Sequence, residues 1–229
     1  KVSFIQPLPR CYQNRIATSD GVAAVTHQSW FGGIYQDPKN FFAQFAVEPE
    51  PFLQMYPEYV LPDDRRQAWF ANRPGAIVGR ALADRFGWKV GDRVPLQATI
   101  FRKADESPWT FTIDGIYEAG AKGTDTTQFF FHYDYLNETR TILKDEVGWY
   151  IVRVSDPQQS DAIAGRLDAL FANSSAETKT STEKAFVQAF AQQIGDIGSI
   201  MMAIVAAVLF TMLLVAANTM GQAVRERTN

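Results

Sequence analysis

The sequence predicts an α+β protein: an α+β lobe interrupted by a small inserted β-rich lobe, with a C-terminal stalk helix that runs into a transmembrane helix. Three observations carry this expectation. Residues 75–146 are dense in strand-like runs separated by Gly-containing turns, Val147 to Phe171 reads as a strand followed by an amphipathic helix, and no ionisable residue occurs from Ile197 to Val224. The expected divisions are the first part of the α+β lobe at 1–74, the insert at 75–146, the second part of the lobe at 147–182, the stalk at 183–196, the span at 197–224 and the start of a cytoplasmic segment at 225–229.

In the first part, Val22 to Thr26 forms a short strand and the Phe-rich "FFAQFAV" comes next at Phe41 to Val47. A short helix is expected near Phe52 to Tyr56, and another at Asp63 to Asn72, opened by "PDD". In the insert, "VGDRVPLQATIFRK", "WTFTIDGIYEAG" and "QFFFHYDYL" read as successive strands, and "RALADRFGW" as a short amphipathic helix. In the second part, Val147 to Val154 is β-branched and aromatic, and Asp156 and Pro157 suit the N-cap and first position of a helix. Its apolar stripe is Ala162, Ile163, Leu167, Leu170 and Phe171. With a strand expected after it, the segment forms a β-α-β unit or a split version of one.

Thr180 is the expected N-cap of the stalk, with Glu183 at capping-box spacing. Phe186, Phe190, Ile194 and Ile197 recur at helical spacing, so one face of the stalk packs on the domain. Gly195 and Gly198 stand where stalk meets span, as a proposed hinge or simply as the end of one helix and the start of another. As a helix, Ile197 to Ala217 spans roughly 31 Å, which matches a hydrocarbon core of about 30 Å. Its Leu, Ile, Val and Phe side chains favour insertion by roughly 3 to 5 kcal/mol in total. Arg225 and Arg227 come after the span and Asp196 precedes it, so the "RERTN" end is expected in the cytoplasm and the bulk of the chain outside.

Composition narrows the function classes. The net charge of −3 has no concentrated basic patch behind it, which argues against nucleic acid as a partner. Cys11 is the only cysteine, so neither an intramolecular disulfide nor a thiolate cluster can form. The chain holds no phosphate-binding G-x-x-x-x-G-K-[ST], no H-E-x-x-H, no G-x-S-x-G and no dinucleotide fingerprint. His27 and His132, the two histidines, lie in or beside apolar strands and would need to converge with carboxylates to hold a metal. Asp63 and Asp64 fit a helix N-terminus better than an acid/base pair. "SWFGGIY" at Ser29 to Tyr35 reads as core packing around a tight turn, or as a contact surface. The expected catalytic, cofactor-binding and metal-ligating residues are therefore none.

Three stretches together resemble the FtsX-like or MacB-like permease subunits of ABC transporters. They are "GAIVGRALADRFGWKVGDRVPL", "VGWYIVRVSDPQQSDAIAGRLDALF" and, at the end, "NTMGQAVRERTN". The last resembles the close of the family's second transmembrane helix, where members read "V-R-E-R-T". The resemblance implies four transmembrane helices, the first before Lys1, and a large extracytoplasmic domain between the first and second. It implies that the α+β lobe is porter-like, with the β-rich lobe inserted in it. A coupling segment after the second helix would engage a nucleotide-binding subunit or domain, with Arg225, Glu226 and Arg227 at its entrance.

The function so implied is a non-catalytic permease subunit of the bacterial inner membrane that couples a partner's ATP hydrolysis to export or to mechanical work outside. Expected partners are a cytoplasmic ABC ATPase, membrane lipid, a second permease copy or paralogue, and a periplasmic protein. The rival is a signalling receptor with a ligand-sensing outside domain, one span and a cytoplasmic module. Two further hydrophobic spans beyond Asn229 would mark the permease, and a signalling module there would mark the receptor.

Overall fold

The computed structural model describes residues 6–186, 188 and 189. They fall into two units, of which the first ends at Thr180 and the second begins at Ser181. In chain order the first unit contains β1 (Leu8–Pro9), α1 (Tyr12–Ala17), β2 (Val22–Trp30), β3 (Gly33–Ile34), β4 (Gln44–Val47), α2 (Pro49–Met55), β5 (Tyr59–Val60) and α3 (Asp63–Ala71). Next come β6 (Gly75–Gly79), α4 (Arg80–Phe86), β7 (Arg93–Ala98), β8 (Trp109–Ala119), β9 (Phe129–His132), α5 (Tyr133–Thr139), β10 (Glu146–Val147), β11 (Trp149–Val154) and α6 (Ser160–Phe171).

One mixed nine-stranded sheet organises the unit, in the order β11-β2-β4-β9-β6-β8-β7-β3, with β5 added along β8. Strands β4 and β9, and β6 and β8, run parallel; the other neighbours on this path run antiparallel. The expected insert is not set off by a break in this sheet. Its strand β9 pairs with β4 from before residue 75, so backbone hydrogen bonds cross the expected boundary. A strand buried on both faces reads as an unbroken apolar run and carries no mark of which neighbour it will take.

The period of two along β9 explains the core. Phe129 and Phe131 point into one cluster with Phe31, Trp109 and Phe111, while Phe130 points to the opposite face with Phe45, Phe52, Trp69 and Tyr117. A third, smaller cluster joins Tyr12 and Ile16 of α1 to Ile163, Leu167 and Phe171 of α6, over Val25 of β2 and Val152 of the edge strand β11. Of the apolar stripe expected on α6, Ile163, Leu167 and Phe171 are buried.

Local departures from expectation have local causes. The "YDYL" half of "QFFFHYDYL" is helical: β9 ends at His132 and α5 begins at Tyr133. Asp156 caps not α6 itself but the single 3₁₀ turn ahead of it, accepting a 2.9 Å hydrogen bond from Gln158 N. No strand comes after α6 among the described residues; the polar run after Phe171 folds back instead, and the Thr180 amide donates to Asp168 Oδ1 at 2.7 Å.

The second unit is described only at its start. Thr182, not Thr180, caps the helix there: its carbonyl accepts from Phe186 N at 2.9 Å and its hydroxyl from Ala185 N at 3.4 Å. Thr180 instead commits its amide to Asp168, at the end of the first unit. No helix of the described residues is long and apolar enough to cross a membrane, and the run Ile197 to Val224 lies outside them.

Candidate functional site

The segment that leads into the domain is held by residues far away in sequence. Leu8 and Pro9 pair with Val147 and Glu146, Arg10 N donates to Asp145 O at 2.8 Å, and Tyr150 Oη donates to Pro9 O at 2.6 Å. This places Arg10 at the rim of an open cleft of about 490 Å³ lined by Arg10, Cys11, Gln13, Asn14, Glu48 and Asp145.

Beneath the cleft runs a chain of alternating charges. Glu48, at the start of α2, lies 3.5 Å from His27 Nε2 and 3.9 Å from Arg10. Arg10 reaches on to Asp134 at 3.4 Å and covers the Tyr133 ring. Arg73 closes the far end, binding Asp134 at 2.9 Å and Glu138 at 2.7 Å. Burial raises the Glu48 carboxyl, but His27, a 2.9 Å hydrogen bond from Gln13 and the Arg10 guanidinium outweigh it and hold the group below its ordinary value. Glu48 is thus a carboxylate that ties α1, β2 and α2 together.

Behind the cleft, Arg140 is 2% exposed. Its guanidinium donates to Glu146 O at 2.7 Å, Asn137 Oδ1 at 2.8 Å and Tyr133 Oη at 3.3 Å, between the rings of Phe101 and Tyr133. These bonds shape the loop in which Leu143 and Asp145 take left-handed backbone angles. Because Asp145 O is the acceptor for Arg10, this loop sets the position of the leading segment. Such strain persists only where surrounding contacts over-determine it.

The leading and trailing ends of the first unit also meet. Tyr12 stacks on Phe171 with ring centroids 4.1 Å apart, and Arg15 donates to Leu170 O at 3.2 Å. The arrangement can anchor and orient chain ends.

The structure places those sequence-predicted residues that it describes. His132 is 6% exposed and its Nε2 donates to Trp69 O at 2.7 Å, while burial keeps the ring below its ordinary pKa and neutral. His27 is enclosed beside Glu48, and among the described residues no three His, Cys, Asp or Glu side chains are grouped to hold a metal. Asp63 and Asp64 begin α3 and pair with Arg66 and Arg65. Within "SWFGGIY", Phe31 is fully buried and Gly32 makes the turn at φ 68°, which is the core-packing outcome. The proposed hinge residues Gly195 and Gly198, and Arg225, Glu226 and Arg227, lie outside the described residues. Arg10, Glu48, Asp134 and Arg140 were not singled out by sequence, since no spacing relates them.

Comparison with known proteins agrees with this architecture. A family model, the MacB-like periplasmic core domain, matches residues 8–170. Among solved structures, the extracellular domain of the noncanonic ABC-type transporter YknZ from Gram-positive bacteria is similar with a TM-score of 0.54 at 11% identity, covering 76% of this chain and 87% of that one. The periplasmic region of MacB from Actinobacillus actinomycetemcomitans gives 0.47 at 14% identity, covering 73% and 74%. No curated protein sequence matches. The stretch matched by the family model runs from the leading strand β1 into α6, and the chain belongs to the family of MacB-like periplasmic core domains, found in ABC-type transporter permeases.

Proposed function

We propose that this chain is the extracytoplasmic domain and second membrane helix of an ABC transporter permease, which couples ATP hydrolysis by a cytoplasmic partner to export or to mechanical work outside the membrane. The observation that carries the reading is the family match over residues 8–170, with a run free of ionisable residues after it at Ile197 to Val224. In this reading the subunit is itself non-catalytic. A second permease copy or paralogue, membrane lipid and a periplasmic protein complete its partners, and the inner membrane is its location.

The physical route is a lever. A continuous helix from Phe186 to Arg225 would be about 60 Å long, so a displacement imposed near Arg225, Glu226 and Arg227 would be delivered outside. The meeting of α1 and α6 supports the same reading, because both ends of the domain would receive such a displacement in one small core. Gly195 and Gly198 act in it as the hinge. The test is ATPase activity of the purified complex: Gly195→Leu is expected to weaken the link between transport and hydrolysis, and an unaltered link removes the hinge. Isolation of the full-length membrane protein with no associated ATPase would favour the receptor instead.

A further inference from the structure

We propose that the last turn of α6, Asp168 to Phe171, is a clasp that holds both chain connections of the domain, and that Asp168 is the residue that fixes the outgoing one. This rests on the permease reading, in which the outgoing connection continues into the lever helix. The run "ANSSAETKT" leads from α6 to the end of the first unit at Thr180. Small polar residues at the end of a domain are where chains commonly fray. Here they are built into the fold. The Ser174 hydroxyl donates to Phe171 O at 2.6 Å, and Asn173 takes a left-handed φ of 63° while its amide donates to Glu177 Oε1 at 3.2 Å. Ala176 is buried in the same cluster as Tyr12 and Phe171.

Asp168 closes the run. Its Oδ1 accepts from Thr180 N at 2.7 Å and its Oδ2 from Lys179 Nζ at 3.3 Å, so one carboxylate holds two consecutive residues. A backbone amide on a carboxylate makes a charge-assisted bond, about twice as strong as a neutral one. The Asp168 side chain is 20% exposed, and partly buried pairs are screened less than exposed ones. The incoming connection reaches the same turn, where Arg15 donates to Leu170 O at 3.2 Å and Tyr12 stacks on Phe171. Thr182, which caps the next helix, is separated from Thr180 by Ser181 alone. A displacement carried by that helix therefore meets little slack before it reaches α6, and with α6 the strands β2 and β11 that share its core. Without Asp168, the polar run would absorb it.

The test is trypsin cleavage of the Lys179–Thr180 bond in the full chain in detergent, followed by mass spectrometry, with cleavage elsewhere in the first unit as the control for global unfolding. The Lys179 side chain is 68% exposed, so protection of this bond reports the backbone and not access to the lysine. Asp168→Ala is expected to be cut there about tenfold faster than the native chain, the scale of one charge-assisted hydrogen bond lost from a local opening equilibrium. Asp168→Asn, whose amide oxygen still accepts from Thr180 N, is expected within about threefold of the native rate. Equal rates in the native chain and Asp168→Ala, or Asp168→Asn cut as fast as Asp168→Ala, overturn the clasp. Should Asp168→Ala fail to fold, hydrogen exchange of the native Thr180 amide decides: slowing by about tenfold or more relative to a free chain supports the clasp, and exchange at the free-chain rate overturns it. In the ATPase complex, Asp168→Ala is expected to move the hydrolysis rate toward that of a complex lacking residues 22–180, and Asp168→Asn to keep the native rate. An opened clasp with an unchanged ATPase rate overturns the role in transmission. That outcome is distinct from finding no ATPase at all, which would overturn the permease reading itself.

Discussion

Gly79→Ala should be among the most damaging single-methyl changes in the domain. A Cβ at Gly79 would lie 2.0 Å from Thr126 O, 2.2 Å from Thr126 C and 2.5 Å from Thr126 Cα, all of them backbone. Relief therefore requires the 125–128 segment to retreat by more than about 1 Å, since ordinary contacts lie near 3.5 to 4.0 Å. That segment is tied to the same place by Leu82 N, which donates to Thr126 O at 3.1 Å, and by Gly79 N, which donates to Gln128 O at 3.0 Å. Breaking two such bonds and leaving buried polar groups unpaired costs about 3 to 5 kcal/mol. At roughly 2 to 4 °C per kcal/mol for a domain of this size, Tm should fall by about 6 to 20 °C. Thermal unfolding followed by circular dichroism measures it, and a loss under about 1 kcal/mol would refute the packing argument.

Other perturbations concern the buried polar groups. Burial raises the Asp114 carboxyl despite its hydrogen bonds from Asn72, so the fold holds that proton more tightly than the unfolded chain does. Its contribution improves as pH falls from neutral through the raised value; Asp114→Asn should be more stable by about 1 kcal/mol at pH 7, with no such acid-side gain in denaturant titrations. Glu48 behaves oppositely: its contribution is present above about pH 4.5 and is lost as pH falls through its lowered value. Glu48→Gln should cost about 1 to 3 kcal/mol at neutral pH and converge on the native protein in acid, as denaturant titrations at several pH values would show. Arg140→Ala should cost about 3 kcal/mol and speed proteolysis of the 141–147 loop, since three hydrogen bonds are lost from a buried site.

Much of the fold was legible because it rests on local chemistry. The PDD opening and the Arg pairing of α3 needed no tertiary partner, so that helix was expected at Asp63 to Asn72 and runs from Asp63 to Ala71. The recurring glycines of "GAIVGRAL" were legible as a pattern but not as a cause: at Gly75 an added Cβ would meet Asp114 Oδ2 at 1.9 Å, and at Gly79 it would meet Thr126, so both are close approaches to distant chain. Sheet order was not legible, because "FFFH" and "QFAV" carry the same apolar signal whichever neighbour they take. The charge chain was hidden for the same reason. Arg10, Glu48 and Asp134 are ordinary charges until β1 pairs with β10 and α5 folds under the leading segment.

The central claim is that this domain works for an ATPase on the other side of a membrane. Purification of the full-length protein in detergent, with ATPase rates compared before and after removal of residues 22–180, tests it most directly. An ATP-hydrolysing subunit or domain is expected to accompany the protein, at a rate that changes with the deletion. An associated ATPase indifferent to the deletion, or none at all in a protein that still inserts in the membrane, would contradict the claim.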